Sequence, residues 1–179
     1  MFIKGNKKLL KSTSGHFAVA GCRRGLTTQS KKWLQSMVEQ LTPENVLVSG
    51  LAIGTDTFAH RTALRNHIPQ IAVLPSGIQN IYPKQNTRLA EAILADGGCL
   101  VSLSPDRASP SRNSFIERNE VIVDLCHMLI VPQFEEHSGT RHTVDFAKAA
   151  GKYIIVNSSS TASGNQFILN NNSYKTIEK

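Results

Sequence analysis

Four stretches of this 179-residue chain carry residue types suited to holding phosphate. Gly21-Cys22-Arg23-Arg24-Gly25 places two guanidinium groups in a short turn bounded by glycine. Ser49-Gly50-Leu51-Ala52-Ile53-Gly54-Thr55-Asp56 is a serine–glycine turn. Phe115-Ile116-Glu117-Arg118-Asn119 sets an aromatic ring three residues before an arginine, and Ser138-Gly139-Thr140 is a second small hydroxyl–glycine turn. An arginine presents a planar fork of donors that matches phosphate oxygens. Glycine lets a ligand approach the backbone closely. A helix start adds unpaired N–H groups and partial positive charge. The chemistry these residues predict is anion recognition. The glycine spacing is not G-x-G-x-x-G, so no dinucleotide fingerprint is read and no cofactor is expected. A plain strand-to-helix turn without ligand fits the Ser49–Asp56 stretch as well.

Two other constellations are weaker. Asp56 and His60 lie four apart on an expected helix, so they can face one another. No nucleophile stands at a matching spacing, and a structural hydrogen bond is the expectation. His137 and His142 are five apart with no third ligand in reach, which is poor metal geometry. Surface histidines are expected there, and no metal site.

The elements that position these residues follow from periodicity. Short apolar runs mark six strands at 16–20, 46–48, 71–74, 99–103, 127–131 and 153–156. Between them lie helical patterns from 27 or 28 to about Gln40, 56–66, 86–95, 115–125 and 138–150. Trp33, Leu34, Met37, Val38 and Leu41 form the apolar stripe of the first helix, and Pro43 and Gly97-Gly98 are stop signals. Strands without polar alternation, each followed by a helix, predict a three-layer α/β fold: a Rossmann-like, mostly parallel sheet covered on both faces, in a single domain. Such sheets bind ligands beyond the carboxyl ends of their strands. The turns there hold Arg23, Arg24, Ser49, Gly50, Ala52, Gly77 and the Ser138–Thr140 segment.

The charge is unevenly placed. Net charge is +7, yet residues 1–38 contain eight Lys and Arg and no Asp or Glu. The other 12 basic residues face all 13 acids, leaving −1 for the remainder. An acid-free basic stretch is the footprint of a polyanion such as nucleic acid. Residues 1–14 are expected as a basic flexible arm, and 15–179 as the core domain. No run reaches the ~20 apolar residues that span a bilayer, and no signal peptide is read, so no membrane partner is expected. Three scattered cysteines, Cys22, Cys99 and Cys126, fit neither a disulfide framework nor a zinc ribbon, and a cytoplasmic setting with free thiols is expected.

On these motifs the sequence resembles the DNA-processing protein A (DprA, or Smf) family. The resemblance runs from Val19-Ala20-Gly21-Cys22-Arg23 through Ser49 to Asp56, Ala59-His60, Tyr82-Pro83 and Asn86. It continues with Phe115-x-x-Arg118-Asn119, Ser138-Gly139-Thr140, Thr143 and Ser163-Gly164-Asn165, covering about residues 17–170. It implies binding of single-stranded DNA without base specificity, dimerisation, help in loading a RecA-type recombinase during transformation, and no catalysis. By position it implies a DNA site at Arg23, Ser49, Gly50, Phe115, Arg118, Asn119 and Ser138 to Thr140, with Arg23 and Arg118 on phosphate and Phe115 stacked on a base. Arg24, Ala52 and Gly77 complete the expected site.

This chain departs from the family pattern in three ways. Glu120 follows Arg118-Asn119, where the family has a second arginine. Arg141-His142 follows the Ser-Gly-Thr turn, where the family is mostly apolar. The helical and winged-helix domains that members often carry are not expected in these 179 residues. A nucleotide-binding or nucleotide-hydrolysing enzyme related to the LOG phosphoribohydrolases, or a nucleotide sensor, is the alternative. Its Pro-Gly-Gly motif is missing, and Thr143 stands where its glutamate would. A hydrolase would have to use Glu117, Glu120, Glu135 or Asp145 to activate water or stabilise cationic charge.

Overall fold

The computed structural model describes residues 1–11 and 15–179. Eight strands form one sheet: β1 (Phe2–Gly5), β2 (His16–Val19), β3 (Val46–Ser49), β4 (Gln70–Leu74), β5 (Cys99–Ser102), β6 (Met128–Val131), β7 (Tyr153–Val156) and β8 (Thr176–Glu178). The order is β1-β5-β4-β3-β2-β6-β7-β8. Every pairing is parallel except β1 with β5. The helices are α1 (Thr28–Glu39), α2 (Thr55–Arg65), α3 (Thr87–Ala95), α4 (Arg112–Leu125), α5 (Thr140–Ala149) and α6 (Ser163–Leu169). The expected three-layer, mostly parallel fold is the one observed. None of the described helices is long and apolar enough to cross a membrane.

The strand sequences explain the layers. Side chains alternate between faces with period two. Val19, Leu47 and Ile130 therefore point to the face where Leu34 and Val38 of α1 and Ala59 and Ala63 of α2 pack. Ala72, Leu74 and Leu100 extend that face under Leu89, Ala90 and Ile93 of α3. Ala18, Val48, Val73, Leu129 and Val131 face the other way, beneath α4, α5 and α6. Both faces are covered, so the strands need no polar alternation.

The chain first builds β2 to β5 towards one edge, then crosses over through α4 and builds β6 to β8 towards the other. The direction changes between β2 and β6. At such a switch point the loops leaving two neighbouring strands diverge and open a crevice at the carboxyl ends.

The stretch expected as a flexible arm carries structure. β1 pairs along the sheet edge, from Phe2 opposite Ser102 to Gly5 opposite Cys99. A 3-10 turn over Lys7–Lys11 follows, and Ile3, Leu9 and Leu10 pack against the core. The His16 imidazole donates from Nε2 to the Leu9 carbonyl at 2.8 Å. Reading the lysines as a tail overlooked these interleaved apolar residues. Residues 12–14 of the expected arm lie outside the described residues. The consequence for charge is direct. Lys7, Lys8 and Lys11 sit near the starts of β2 and β5, at the opposite end of the sheet from the crevice. The eight basic residues therefore do not form one footprint.

Candidate nucleic-acid interface

A cleft of about 520 Å³ opens at the switch point. One wall is the turn after β2, with Cys22, Arg23 and Arg24. α4 supplies Arg112, Phe115, Arg118 and Asn119, and the segment after β6 supplies Glu135 and Ser138 to Thr140. The walls are held by backbone and side-chain clamps. Cys22 N–H donates to the Gln133 carbonyl at 2.9 Å. The Gln133 side chain accepts from Thr27 N–H at 3.0 Å and donates to the Gly25 carbonyl at 3.0 Å, so it braces the loop that carries both arginines. Phe134 is fully buried against Gly164, where any Cβ would overlap its ring. Asn165 accepts from Phe134 N–H at 3.0 Å. The Ser163-Gly164-Asn165 motif thus holds the cleft segment in place from behind.

Arg23, Arg24 and Arg112 are exposed on the cleft. The two carboxylates lining it are both engaged. Glu135 accepts from the Ser163 hydroxyl at 2.6 Å and from Ser163 N–H at 3.3 Å, at the start of α6. Asp56 accepts from the N–H groups of Gly50 at 3.1 Å and Ala52 at 3.2 Å, and lies 3.5 Å from Arg118 Nη1. With Asp56 paired to Arg118, the exposed Arg23, Arg24 and Arg112 outweigh the remaining charge of Glu135, so the cleft is net positive.

This arrangement corrects the expectation for the Ser49–Asp56 turn. Leu51 adopts φ 59°, an unfavourable backbone for leucine costing roughly 1–3 kcal/mol. It is held there by burial and by Asn86, whose amide donates to the Leu51 carbonyl at 2.8 Å. The left-handed residue turns the N–H groups on either side of it into one concavity, a shape that binds anions. The chain's own Asp56 fills it. Thr55 N–H donates to the Cys22 carbonyl and Thr57 N–H to the Ala52 carbonyl, so these donors at the α2 start are also spent. Asp56 neither caps the helix nor bonds His60, whose Nδ1 lies 2.8 Å from the Gln70 amide. Burial pushes the His60 imidazole below its ordinary value.

Other expected residues are placed as follows. Ser49 is fully buried and donates to the Val19 carbonyl at 2.7 Å, so its hydroxyl is unavailable. Gly50 is bare because the Arg118 guanidinium occupies the place of a Cβ, not because a ligand enters. Gly77 packs against the backbone of Pro105 and Asp106, away from the cleft. Ala52 lies on the cleft rim. Arg118 is only 6% exposed; burial lowers its pKa and Asp56 opposes that shift. It forms the cleft floor as a paired charge, unlike the free phosphate ligand expected. Phe115 is half-buried, with Arg23 over its ring at 5.2 Å and Tyr82 edge-on at 5.6 Å. Asn119 is half-exposed in the cleft, and Glu120 is exposed outside it.

At the far wall Gly139 immediately precedes α5, with open space at its Cβ position and no side-chain cap on the helix. Thr140 Oγ1 donates to the Gly21 carbonyl at 2.9 Å. Among the described residues the buried Ser138 hydroxyl has no partner. Arg141 turns away, binding Asp145 at 2.9 Å and stacking on Phe167 at 4.0 Å. Of the four carboxylates weighed for hydrolysis, Glu135 alone lines the cleft. Burial raises the Cys22 pKa, so the cleft thiol is no thiolate nucleophile at neutral pH. No group of three metal-ligating side chains occurs among the described residues.

Sequence reading missed Arg112, Tyr82 and Gln133. Arg112 was legible in principle. Ser111 caps α4 and forms a reciprocal pair with Ser114, which starts the helix three residues earlier than the Phe115 periodicity indicated.

A family model described as DNA recombination-mediator protein A matches residues 1–176. DNA processing protein DprA of Streptococcus pneumoniae is 37% identical over 155 residues, 87% of this chain and 54% of the relative. Its crystal structure has a TM-score of 0.86, covering 98% of this chain and 62% of that one. A structure of DNA processing protein A from Helicobacter pylori, described for its single-stranded DNA binding mode, also has a TM-score of 0.86 at 27% identity, covering 98% and 80%. The chain spans about half the length of the curated relatives it matches.

Proposed function

The chain belongs to the DNA recombination-mediator protein A family, and from that premise we propose that it binds single-stranded DNA, without base specificity, in the cleft at the β2–β6 switch point. One observation carries this reading. Arg23, Arg24 and Arg112 stand exposed around a cavity whose two carboxylates are already engaged by the protein itself. Three exposed guanidinium groups around the cleft favour a phosphate backbone over any one base sequence. The single-strand binding described for the Helicobacter pylori relative supports it. The rim aromatics favour unpaired bases over a closed duplex.

The same reading assigns the protein no catalysis and a cytoplasmic place. It acts as a homodimer that presents single strands to a RecA-type recombinase during recombination or DNA uptake. Membership of the family supports these assignments.

A competition titration tests the core of it. Labelled oligothymidylate is bound, then challenged with the same length of duplex DNA and with mononucleotides at low and moderate salt. Single strand should outcompete both, and affinity should fall with salt. Tighter binding of mononucleotide than of single strand would turn the cleft into a small-nucleotide site.

A further inference from the structure

The sheet ends in two outer strands, β1 and β8. Asn6 N–H donates to the Gly98 carbonyl at 3.0 Å, in line with the β1–β5 register. An antiparallel ladder alternates hydrogen-bonded and non-bonded pairs. The bonded pairs of β1 therefore fall at Lys4 and Phe2. Ile3 and Gly5 turn their N–H and carbonyl groups away from β5, where no other described residue pairs with them. Such a row of unpaired backbone groups is a template for a further strand.

The surroundings of this edge set it apart from β8. Met1, Phe2 and Leu103 are exposed large apolar residues gathered at one end of it, with Phe2 opposite Ser102. Ile3 packs against the core, so Phe2 and Lys4 project from the other face. Lys7, Lys8 and Lys11 follow at the other end, all exposed. Among the described residues Lys4, Lys7, Lys8 and Lys11 form no ion pair. Lysines along an edge keep neutral strands away, and the same charge draws an acidic one. β8 carries Glu178 and no exposed large apolar residue.

These features select the occupant. Phosphate groups only accept hydrogen bonds, so the outward carbonyls of Ile3 and Gly5 oppose nucleic acid along the edge. A second copy of this chain would bring its own lysines to the joined edge, and like charges on paired strands repel. A peptide backbone supplies donors and acceptors together. We infer that the β1 edge docks an extended segment of a partner protein, apolar at one end and acidic at the other. The segment joins the sheet as a ninth strand beside Ile3 and Gly5. Its apolar end covers Phe2 and its carboxylates meet Lys4 and the lysines of the 3-10 turn. The site is separate from the DNA cleft and does not depend on it.

The test uses a labelled octapeptide of two Thr-Val pairs joined to four glutamates, made in both chain directions so that either strand polarity can pair. One control has lysines for the glutamates, and another is N-methylated throughout the Thr-Val half. By anisotropy the acidic peptide should bind ~tenfold more tightly than the lysine control. N-methylation should cost ~tenfold, because it removes the donors that face β1. Lys4→Glu, at an exposed site without a partner, should weaken the acidic peptide about threefold. The Ile3 and Gly5 amides should exchange with solvent quickly in the free protein and slowly with peptide bound. Absence of binding, or equal affinity for the acidic and lysine peptides, would overturn the inference. Full affinity of the N-methylated peptide would leave charge attraction without strand addition and overturn it too. So would displacement of the peptide by oligothymidylate, which would give the lysines to phosphate. Slow exchange of both amides without peptide would mean that a second copy already covers the edge, and would equally refute it.

Discussion

Replacing Asp56 with Asn should lower stability and raise DNA affinity together. Asp56 is 7% exposed, and its carboxylate does two tasks. It accepts from Gly50 and Ala52 N–H, and it faces Arg118 at 3.5 Å. Asparagine keeps an oxygen for the N–H groups and loses the charge. Arg118 then stays buried and cationic without a counter-charge, since arginine does not give up its proton in proteins. Removing one partner of a buried ion pair costs about 3–5 kcal/mol. Arg118 borders the cleft and can turn towards water, so the low end, ~3 kcal/mol, applies. At ~2–4 °C per kcal/mol for a chain of this size, the thermal midpoint should fall by about 6–12 °C. The released guanidinium adds one phosphate-binding charge to the cleft floor. Single-strand affinity should rise, and the salt slope should steepen by ~0.7. Urea unfolding gives the first quantity and fluorescence anisotropy at several salt concentrations the second. Stability within 1 kcal/mol of wild type, with an unchanged slope, would mean that Asp56 does not hold Arg118.

Gly139→Ala should leave stability within ~0.5 kcal/mol, because its φ is −61° and a Cβ there meets nothing within 4 Å. It should still weaken single-strand binding if the open start of α5 receives phosphate, which anisotropy measures; full affinity would remove α5 from the site. His60 yields a pH prediction. Its folded pKa is depressed by burial from an ordinary 6.5, so the unfolded chain binds the extra proton first. Stability should be at its plateau above pH ~6.5 and fall as pH drops from there towards the folded pKa, by up to ~1.4 kcal/mol per pH unit. Urea midpoints across pH should show that slope in wild type and a shallower one in His60→Asn; identical slopes would contradict the assignment.

The sheet was legible because its strands are short apolar runs punctuated by glycine and proline, and a parallel sheet covered on both faces requires such runs. β8 and α6 were not, since Thr176–Glu178 is polar and α6 is under two turns long. β1 was hidden by the lysines around Phe2 and Ile3. The site was half legible. Arg23, Arg24 and the Ser138–Thr140 turn lie where their strand ends put them. The Ser49–Asp56 turn misled, because a backbone concavity suited to phosphate looks the same in sequence whether a ligand or the chain's own carboxylate fills it. Only the fold brings Asp56 back onto Gly50 and Ala52. Arg118 misled for the same reason, since its partner lies 62 positions earlier in the chain. Tyr82 was visible as part of a motif, but its exposure beside Phe115 depends on the β4–α3 loop reaching over α4.

The most direct measurement is the salt dependence of oligothymidylate binding by wild type, Arg23→Ala, Arg112→Ala and Lys7→Ala. With roughly three phosphates neutralised by Arg23, Arg24 and Arg112, log K should fall against log salt with a slope of about −2. Each arginine variant should lose ~0.7 of that slope on every sequence tried. Lys7→Ala, at the other end of the sheet, should match wild type. A wild-type slope in both arginine variants, or the loss appearing in Lys7→Ala instead, would contradict placement of the DNA in this cleft.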